Sequence, residues 1–125
     1  MREIKFRALR RGKAWWYSSD EGIYFKDGYL YEFDDFDDIN IGVAYQYTGL
    51  KDKNGVEIYE GDILEAFNIL GEKEILPVVF VDGAFMGKRL DDEEFPYFYL
   101  FANKSFSKTY KVVGNIYKNP ELLKA

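Results

Sequence analysis

The stretch from Gln46 to Leu64, QYTGLKDKNGVEIYEGDIL, holds the densest turn signals in the sequence, and we call it the central stretch. Asn54-Gly55 predicts a type I′ hairpin turn, because that turn needs positive φ at both central residues and Asn and Gly tolerate it. Gly61-Asp62 predicts a second turn, in which glycine takes the left-handed conformation and the carboxylate accepts neighbouring backbone N–H groups. A short strand lies between the two turns, and a longer strand follows from Ile63.

The central stretch also contains three carboxylates, Glu57, Glu60 and Asp62, which could hold a hard cation. The ligand spacing of a calcium-binding loop is absent. Turn chemistry and solvated strand faces account for the same residues. A divalent-metal enzyme built on Glu60 and Asp62 therefore stays open as the third of three function hypotheses.

Turn signals elsewhere predict a run of antiparallel hairpins. Asp27-Gly28 and Asp82-Gly83 each separate two strand-like segments. With Asn54-Gly55 they give three hairpins closed by Asn-Gly or Asp-Gly, which is typical of an antiparallel β meander. Ile63 and Val112 are predicted to lie in the core, where a change to aspartate would abolish folding.

Pro77 and Gly114 mark irregular positions in the later predicted strands. Pro77 lacks an N–H, so it marks a strand edge, a bulge or a strand's start, and the dependable part of the strand is Val78–Val81. Gly114, inside the predicted strand Tyr110–Tyr117, indicates a bulge or a close backbone approach. Phe95–Phe101 is apolar throughout, and we expect a short helix or irregular segment, although a buried strand or a subunit interface fits as well. Asn119–Leu123 predicts a small helix with Asn119 as its N-cap.

Composition excludes several kinds of chemistry. The 125 residues include no cysteine and no histidine, so disulfides, thiolate catalysis and histidine-based triads are impossible. We expect a non-enzymatic protein with no cofactor. The net charge of −5 disfavours non-specific binding to nucleic acid. No segment is apolar enough to span a bilayer, and the start lacks a signal peptide's apolar region, so a cytoplasmic protein is expected.

An acidic segment, Glu32–Asp38, is the first candidate for an interaction surface. It reads EFDDFDD and concentrates its charge on Asp34, Asp35, Asp37 and Asp38. Such a run could dock a basic partner, bind cations or imitate phosphates, or it could be a solvated loop. Phe33 and Phe36 are three residues apart, and one helical turn would let both pack against the body of the protein.

A basic hairpin tip is the second candidate surface. Lysine and arginine can meet phosphates while aromatic rings stack on bases, so this cluster predicts a nucleic-acid surface. A charged tip with one tryptophan buried and its neighbour at the rim explains it equally. The residues concerned are Arg10, Arg11, Lys13, Trp15 and Trp16.

Four motifs in order carry a resemblance to a known family. MREIKFRAL at the start, the central stretch, the segment Val78–Phe85, and KVVGNIYKNPELL at Lys111–Leu123 together resemble the YopX family. The resemblance implies a small, mostly β protein encoded by phages or integrated elements in a bacterial host. It implies no activity and supplies no catalytic residues.

These observations predict a mainly β fold in two parts, residues 1–44 and 45–125, joined without a linker. The first part is a set of antiparallel hairpins, and it packs against the second, a small SH3-like open barrel with a short C-terminal helix. Gly61, Asp62 and Gly83 are predicted as structural turns beside Asn54 and Gly55. The favoured function is binding to a protein partner, either another copy of the chain or a host or phage protein. A nucleic-acid-binding module is the alternative.

Overall fold

The computed structural model describes residues 3–67, 70–90, 93–94, 97–99 and 110–123. The chain divides into two compact units, Met1–Tyr47 and Thr48–Ala125. The predicted division between residues 44 and 45 stays a prediction about how the chain is organised. Each unit has its own buried cluster of apolar side chains.

The first unit consists of short antiparallel strands. Their bounds are β1 Phe6–Arg10, β2 Ala14–Tyr17, β3 Ile23–Lys26, β4 Tyr29–Glu32 and β5 Ile39–Val43, followed by the first residues of β6 Tyr45–Lys51. β1 pairs with β2 and with β6, and β3, β4 and β5 form a three-stranded sheet. The buried cluster is Ala8, Ile23, Leu30 and Ile41, with Phe6, Trp16 and Ala44 packed against it.

The β3–β4 turn matches its prediction. Asp27 and Gly28 both have positive φ, 51° and 89°, and Lys26 pairs directly with Tyr29. A two-residue loop of this kind is the type I′ geometry, whose twist agrees with that of the flanking strands. Asp82-Gly83 in the second unit repeats it, with φ of 49° and 82° between the paired residues Val81 and Ala84.

The second unit holds the remaining elements. The strands are β7 Glu57–Tyr59, β8 Asp62–Phe67, β9 Lys73–Val81, β10 Ala84–Lys88, β11 Tyr97–Tyr99 and β12 Lys111–Asn115, and a 3-10 helix spans Pro120–Leu123. Five of them form one antiparallel sheet in the order β11-β10-β9-β8-β12. Its core is Ile58, Leu64, Ala66, Leu76, Val78, Phe85 and Tyr110, and Val112 is packed against that cluster. Ile63 is also fully buried, as predicted.

Pro77 lies in the middle of a nine-residue strand, not at its start. The first half of β9 pairs with β8 up to the pair Ile63–Pro77, and the second half pairs with β10 from Val78 onward. Proline falls where the strand changes its main partner, so its missing N–H interrupts neither run of paired residues. The predicted strand Val78–Val81 is therefore present, and β9 extends it by five residues on the N-terminal side, so Pro77 does not mark the strand's start.

The turn at Asn54-Gly55 differs from its prediction. Gly55 has φ of 80°, whereas Asn54 is not among the residues with positive φ, so the turn is not type I′. The Gly55 N–H donates to the Asp52 carbonyl (3.0 Å), and the Asp52 N–H donates to the Val56 carbonyl (2.8 Å). The loop thus has three residues and needs one left-handed position, which glycine fills.

The closing strand contains both features that Gly114 predicted. The register of β12 against β8 shifts between Val112 and Gly114, which is the bulge. A Cβ on Gly114 would lie 2.7 Å from Leu122 Cδ1 and 2.9 Å from Asn119 Oδ1, so the terminal helix also approaches closely. Asn119 does not cap this helix with its side chain as predicted, because its Oδ1 accepts the Asn115 N–H instead (3.1 Å).

The predicted fold class is confirmed: the protein is mainly β, with antiparallel sheets, one of them a half-barrel, and a short 3-10 turn near the C-terminus. The likeness to SH3-like barrels stays a prediction. The expected helix or irregular segment at Phe95–Phe101 is wrong for Tyr97–Tyr99, which form β11 beside β10. Residues 95, 96, 100 and 101 lie outside the described part of the chain.

Candidate functional site

Asp52 in the central stretch holds its own turn and the closing strand together. One carboxylate oxygen accepts the backbone N–H groups of Asn54 (2.8 Å) and Val56 (2.9 Å). The other accepts the N–H of Val112, 60 residues further along the chain (2.9 Å). Lys53 N–H also donates to the Tyr110 carbonyl. A buried carboxylate whose two oxygens accept three backbone N–H groups is a structural tie.

Asp62 makes the same kind of tie at the second turn. Its side chain is 1% exposed and accepts the Tyr59 N–H (2.8 Å) and the Asn115 side-chain amide (3.2 Å). Gly61 beside it has φ of 88°, and its N–H donates to the Val78 carbonyl while its carbonyl accepts the Ile116 N–H. The predicted roles of Gly61 and Asp62 as turn residues are therefore those that the structure shows.

The carboxylates of the central stretch do not converge. Glu57 accepts a hydrogen bond from the Tyr59 hydroxyl, and burial raises the pKa of the Glu60 carboxyl. Asp62 is engaged with backbone and amide donors. Among the residues that the structure describes, no three His, Cys, Asp or Glu side chains form a group that could hold a metal ion. The geometry supplies nothing in favour of the metal hypothesis.

The basic and aromatic residues of the hairpin tip do not form one continuous patch. Trp15 and Trp16 are consecutive in β2, so their side chains point to opposite faces of the sheet. The Arg10 guanidinium lies over the Trp16 ring (4.3 Å to the centroid) and forms a 3.4 Å ion pair with Glu32. Arg11 and Lys13 are exposed at the turn. The binding of nucleic acid by these five residues stays a prediction.

Trp15 also has partners inside the first unit. The Arg7 guanidinium lies 3.8 Å from the centre of its ring, and the Tyr45 ring meets it edge-on at 6.3 Å. Trp16 packs against the buried cluster of the unit. Both indole rings therefore stack with arginines of the same chain, which reduces the ring surface open to a nucleobase.

The acidic segment forms an ordered loop, with no helical turn between β4 and β5. The Asp34 carboxylate accepts the Phe36 N–H (3.0 Å), and the Asp38 carboxylate accepts the Asp34 N–H (3.1 Å). Phe33 is exposed, and Phe36 is 96% exposed. The prediction that the two phenylalanines pack against the body of the protein is wrong, because the loop satisfies its backbone with its own carboxylates and turns Phe36 outward.

The same loop is fastened to the neighbouring sheet. The Tyr24 hydroxyl on β3 donates a hydrogen bond to Asp38. This bond raises the pKa of Tyr24 to about 12, and it is the main cause that lowers the pKa of Asp38, with help from the Asp34 N–H. Of the four predicted aspartates, Asp34 and Asp38 thus build the loop. Asp35 and Asp37 are exposed on either side of Phe36.

A family model described as YopX protein matches residues 5–124. The chain belongs to the YopX family. Two solved structures are similar to it. The crystal structure of protein EF1440 from Enterococcus faecalis has 29% sequence identity and a TM-score of 0.60, and that of protein yopX from Bacillus subtilis has 20% identity and a TM-score of 0.64. In both comparisons 99% of this chain and 100% of the other chain are covered. No curated protein matches the sequence.

Hydrogen bonds join two of the motifs that carry the family resemblance. Asp52 and Asp62 of the central stretch accept from Val112 and Asn115 of the last motif, and the Gly61 carbonyl accepts the Ile116 N–H. These residues therefore help to hold the second unit together. The described residues contain no helix both long and apolar enough to cross a membrane.

Sequence reasoning selects the acidic segment for its charge and misses its apolar centre. It assigns Phe36 to packing and gives Tyr24 no role. A signal is nevertheless present, because Phe36 has two aspartates on its N-terminal side and two on its C-terminal side. A single apolar residue among four charges has no apolar neighbours in sequence to share a buried face.

Proposed function

We propose that this YopX-family protein is a non-enzymatic binding module that contacts a partner protein through Phe36 of the acidic segment. The observation that carries the proposal is the 96% exposure of a phenylalanine side chain on a loop held by its own hydrogen bonds. Burying such a ring in a partner's pocket is worth about 1.5–3 kcal/mol. That is the size of an interface anchor.

The loop supports this role because it is organised before binding. Asp34, Asp38 and Tyr24 fix the backbone on both sides of Phe36. A preorganised loop loses less conformational entropy on binding than a flexible one, so more of the contact energy remains as affinity. Asp35 and Asp37 add negative charge beside the ring, which favours a partner whose pocket has a basic rim.

The wider setting is part of the same proposal. The family resemblance favours an accessory protein encoded by phages or integrated elements and acting in the cytoplasm of a bacterial host. The partner is then a host or phage protein, or a second copy of the chain in a homo-oligomer. The absence of histidine and cysteine supports binding over catalysis.

The test is a pull-down from nuclease-treated bacterial lysate with the full chain as bait, compared with Phe36→Ser. We expect a specific protein to be captured by the wild type and lost from Phe36→Ser. Ile4→Ser is the matched control, because Ile4 is an apolar residue of the same unit that is 74% exposed and belongs to neither candidate surface. Light scattering on the pure protein, with and without Phe36→Ser, covers the case in which the partner is a second copy.

Two outcomes would contradict the proposal. Equal capture by the wild type and Phe36→Ser would remove Phe36 from the interface. A protein captured from untreated lysate but not from nuclease-treated lysate would instead support the nucleic-acid alternative at Arg10, Arg11, Lys13, Trp15 and Trp16. Variants of Arg11 and Lys13, which are exposed at that turn, would then be examined first.

A further inference from the structure

We propose that the interface continues from the acidic segment onto the outer face of the β3–β5 sheet, and that this face receives arginine side chains of the partner protein. The inference rests on the proposed function and adds to it a second surface and a chemistry for the partner. We call the outer face, formed by Tyr24, Tyr29, Tyr31 and Val43, the tyrosine face.

Strand register places these four side chains together. Tyr24 is paired with Tyr31 across β3 and β4, and the two rings are stacked with centroids 5.5 Å apart. Tyr29 lies two residues before Tyr31 on β4, so it points to the same side, and it is paired with Val43 on β5. Directly paired residues share a face of an antiparallel sheet. The tyrosine face therefore reaches β5 at the pair Tyr29–Val43, while the register of β4 against β5 shifts before the next pair on this side, Tyr31–Asn40.

The two sides of this sheet differ in burial. On one side, Ile23, Leu30 and Ile41 belong to the buried cluster of the first unit. On the other side, Tyr29 is 41% exposed and Val43 is 49% exposed, while Tyr24 and Tyr31 are half-buried. Exposed tyrosine is common at interface centres, because a large rigid ring with a polar end gains contact area at low entropic cost.

A hydrogen bond connects the tyrosine face to the acidic segment. Tyr24 belongs to the face, and its hydroxyl donates to Asp38 at the end of the loop. Phe36, Asp35 and Asp37 belong to the loop that this bond fastens to β3. Lys26 is paired with Tyr29 on the same face, and its positive charge also lowers the pKa of Asp38.

Charge and ring chemistry together select arginine. The faces of tyrosine rings attract cations, and Asp35 and Asp37 attract the same charge from the edge of the site. Arginine is favoured over lysine because a planar guanidinium stacks on a ring while its fork binds a carboxylate. A nucleic acid could also stack on tyrosines, but its phosphates would meet the aspartates of the acidic segment.

The experiment uses the isotope-labelled full chain and NMR titration with short synthetic peptides. The first peptide alternates arginine with serine. In the second peptide lysine replaces every arginine, and in the third peptide glutamate replaces every arginine. We expect saturable shift changes at Tyr24, Tyr29 and Tyr31 with the arginine peptide. Binding should be several-fold weaker with the lysine peptide and absent with the glutamate peptide. A single-stranded oligonucleotide serves as the fourth probe, and we expect no saturable binding.

Tyr29→Ala and Tyr97→Ala form the matched pair of variants. Both tyrosines lie in strands and are similarly exposed, at 41% and 44%, but Tyr97 belongs to the second unit. Tyr29→Ala should weaken the arginine peptide about threefold, the effect of losing one exposed cation–π contact, and Tyr97→Ala should leave affinity unchanged. Val43 is paired with Tyr29, so the backbone amide of Val43 reports whether the Tyr29→Ala sheet is intact.

Each contrary outcome overturns a definite part of the inference. Equal affinity for the arginine and lysine peptides would mean that the surface recognises positive charge alone and does not prefer arginine. Shifts confined to Asp35 and Asp37 would remove the tyrosine face, and saturable oligonucleotide binding at the tyrosines would replace the protein partner. These results are separate from the test of the proposed function, which measures whether loss of Phe36 alters partner capture or self-association.

Discussion

Two regions of this protein are rich in aspartate and use it in opposite ways. In the central stretch, Asp52 and Asp62 are buried, and each accepts hydrogen bonds from distant parts of the chain. In the acidic segment, Asp34 and Asp38 accept bonds within their own loop and from Tyr24, while Asp35 and Asp37 are exposed. The difference lies in the donors available at each position.

The location of an aspartate's donors decides whether it supports the fold or a surface. A buried carboxylate is tolerated only when donors surround it, so removing it leaves several N–H groups without partners. An exposed carboxylate is satisfied by water, and its removal costs the fold little. Substitutions in the two regions should therefore differ widely in their effects.

Asp52→Ala should have the largest effect. It leaves the N–H groups of Asn54, Val56 and Val112 without their acceptor, and it removes the side-chain tie between the Asn54-Gly55 turn and β12. We expect a loss of about 4 kcal/mol in the free energy of unfolding, since bonds to charged groups are worth about 1.5–3 kcal/mol each and are not additive. Urea denaturation measures it. Asp35→Ala is the control, and equal stability of the two variants would refute the distinction.

Asp62→Ala should come next, at about 3 kcal/mol, because two donors lose their acceptor at a fully buried site. Asp62→Asn separates the role of shape from that of charge. Its amide oxygen can still accept the Tyr59 N–H, but its NH₂ group then faces the Asn115 amide, donor against donor. Asp62→Asn should therefore lose less stability than Asp62→Ala but should remain less stable than the wild type. Full recovery would show that the Asn115 contact contributes nothing.

The turns show how much of the fold was predictable. Asp27-Gly28 and Asp82-Gly83 take the conformations that their dipeptides predict, because the two flanking strands pair directly around them. Asn54-Gly55 is the stronger dipeptide signal but does not form that turn. Asp52, two residues earlier, captures the N–H groups of Asn54 and Val56 and imposes a three-residue loop. A local side-chain acceptor therefore overrides the dipeptide preference.

Long-range contacts limited the prediction of sites. That Asp62 accepts local backbone N–H groups followed from its place in a turn, and the structure agrees. That Asp52 accepts the N–H of Val112 could not be read from sequence, because 60 residues separate them and only the sheet topology brings them together. The role of Tyr24 was hidden for the same reason, since its partner Asp38 lies beyond β4.

The turns supply the third prediction. Asn54 has no positive φ, so Asn54→Ala should change stability by less than about 0.5 kcal/mol. Asp27 has φ of 51°, where a Cβ without a compensating polar group is strained, so Asp27→Ala should cost about 1 kcal/mol. Thermal denaturation of both variants tests the difference. A larger loss for Asn54→Ala would restore the type I′ turn that the dipeptide predicts.

Glu60 is intermediate between the two regions, because it is half-buried and its pKa is raised by desolvation. As pH rises, the Glu60 carboxyl loses its proton at a lower pH in the unfolded chain than in the folded protein. The neutral carboxyl therefore contributes fully to stability below its unfolded pKa, and this contribution is lost as pH rises through its folded pKa. Glu60→Gln should therefore raise the melting temperature at neutral pH and have no effect below the carboxyl's unfolded pKa. The exposed Glu121→Gln is the control. Destabilisation by Glu60→Gln at neutral pH would mean that the charged Glu60 carboxylate stabilises the folded protein.

Acid titration of Asp38 should have the smallest effect on the stability of the fold. Its effect should be confined to the loop of the acidic segment. The pKa of Asp38 is lowered by the Tyr24 hydroxyl and the Asp34 N–H, so the contribution of Asp38 to loop order is present above the unfolded pKa and lost as pH falls through the folded one. NMR should show the Asp34 and Phe36 amides shifting together in that range while residues of the second unit stay unchanged. In Tyr24→Phe the transition should move to higher pH, because the main cause of the lowered pKa is gone. An unmoved transition would mean that the loop is ordered without the sheet, and that the tyrosine face and Phe36 are separate surfaces.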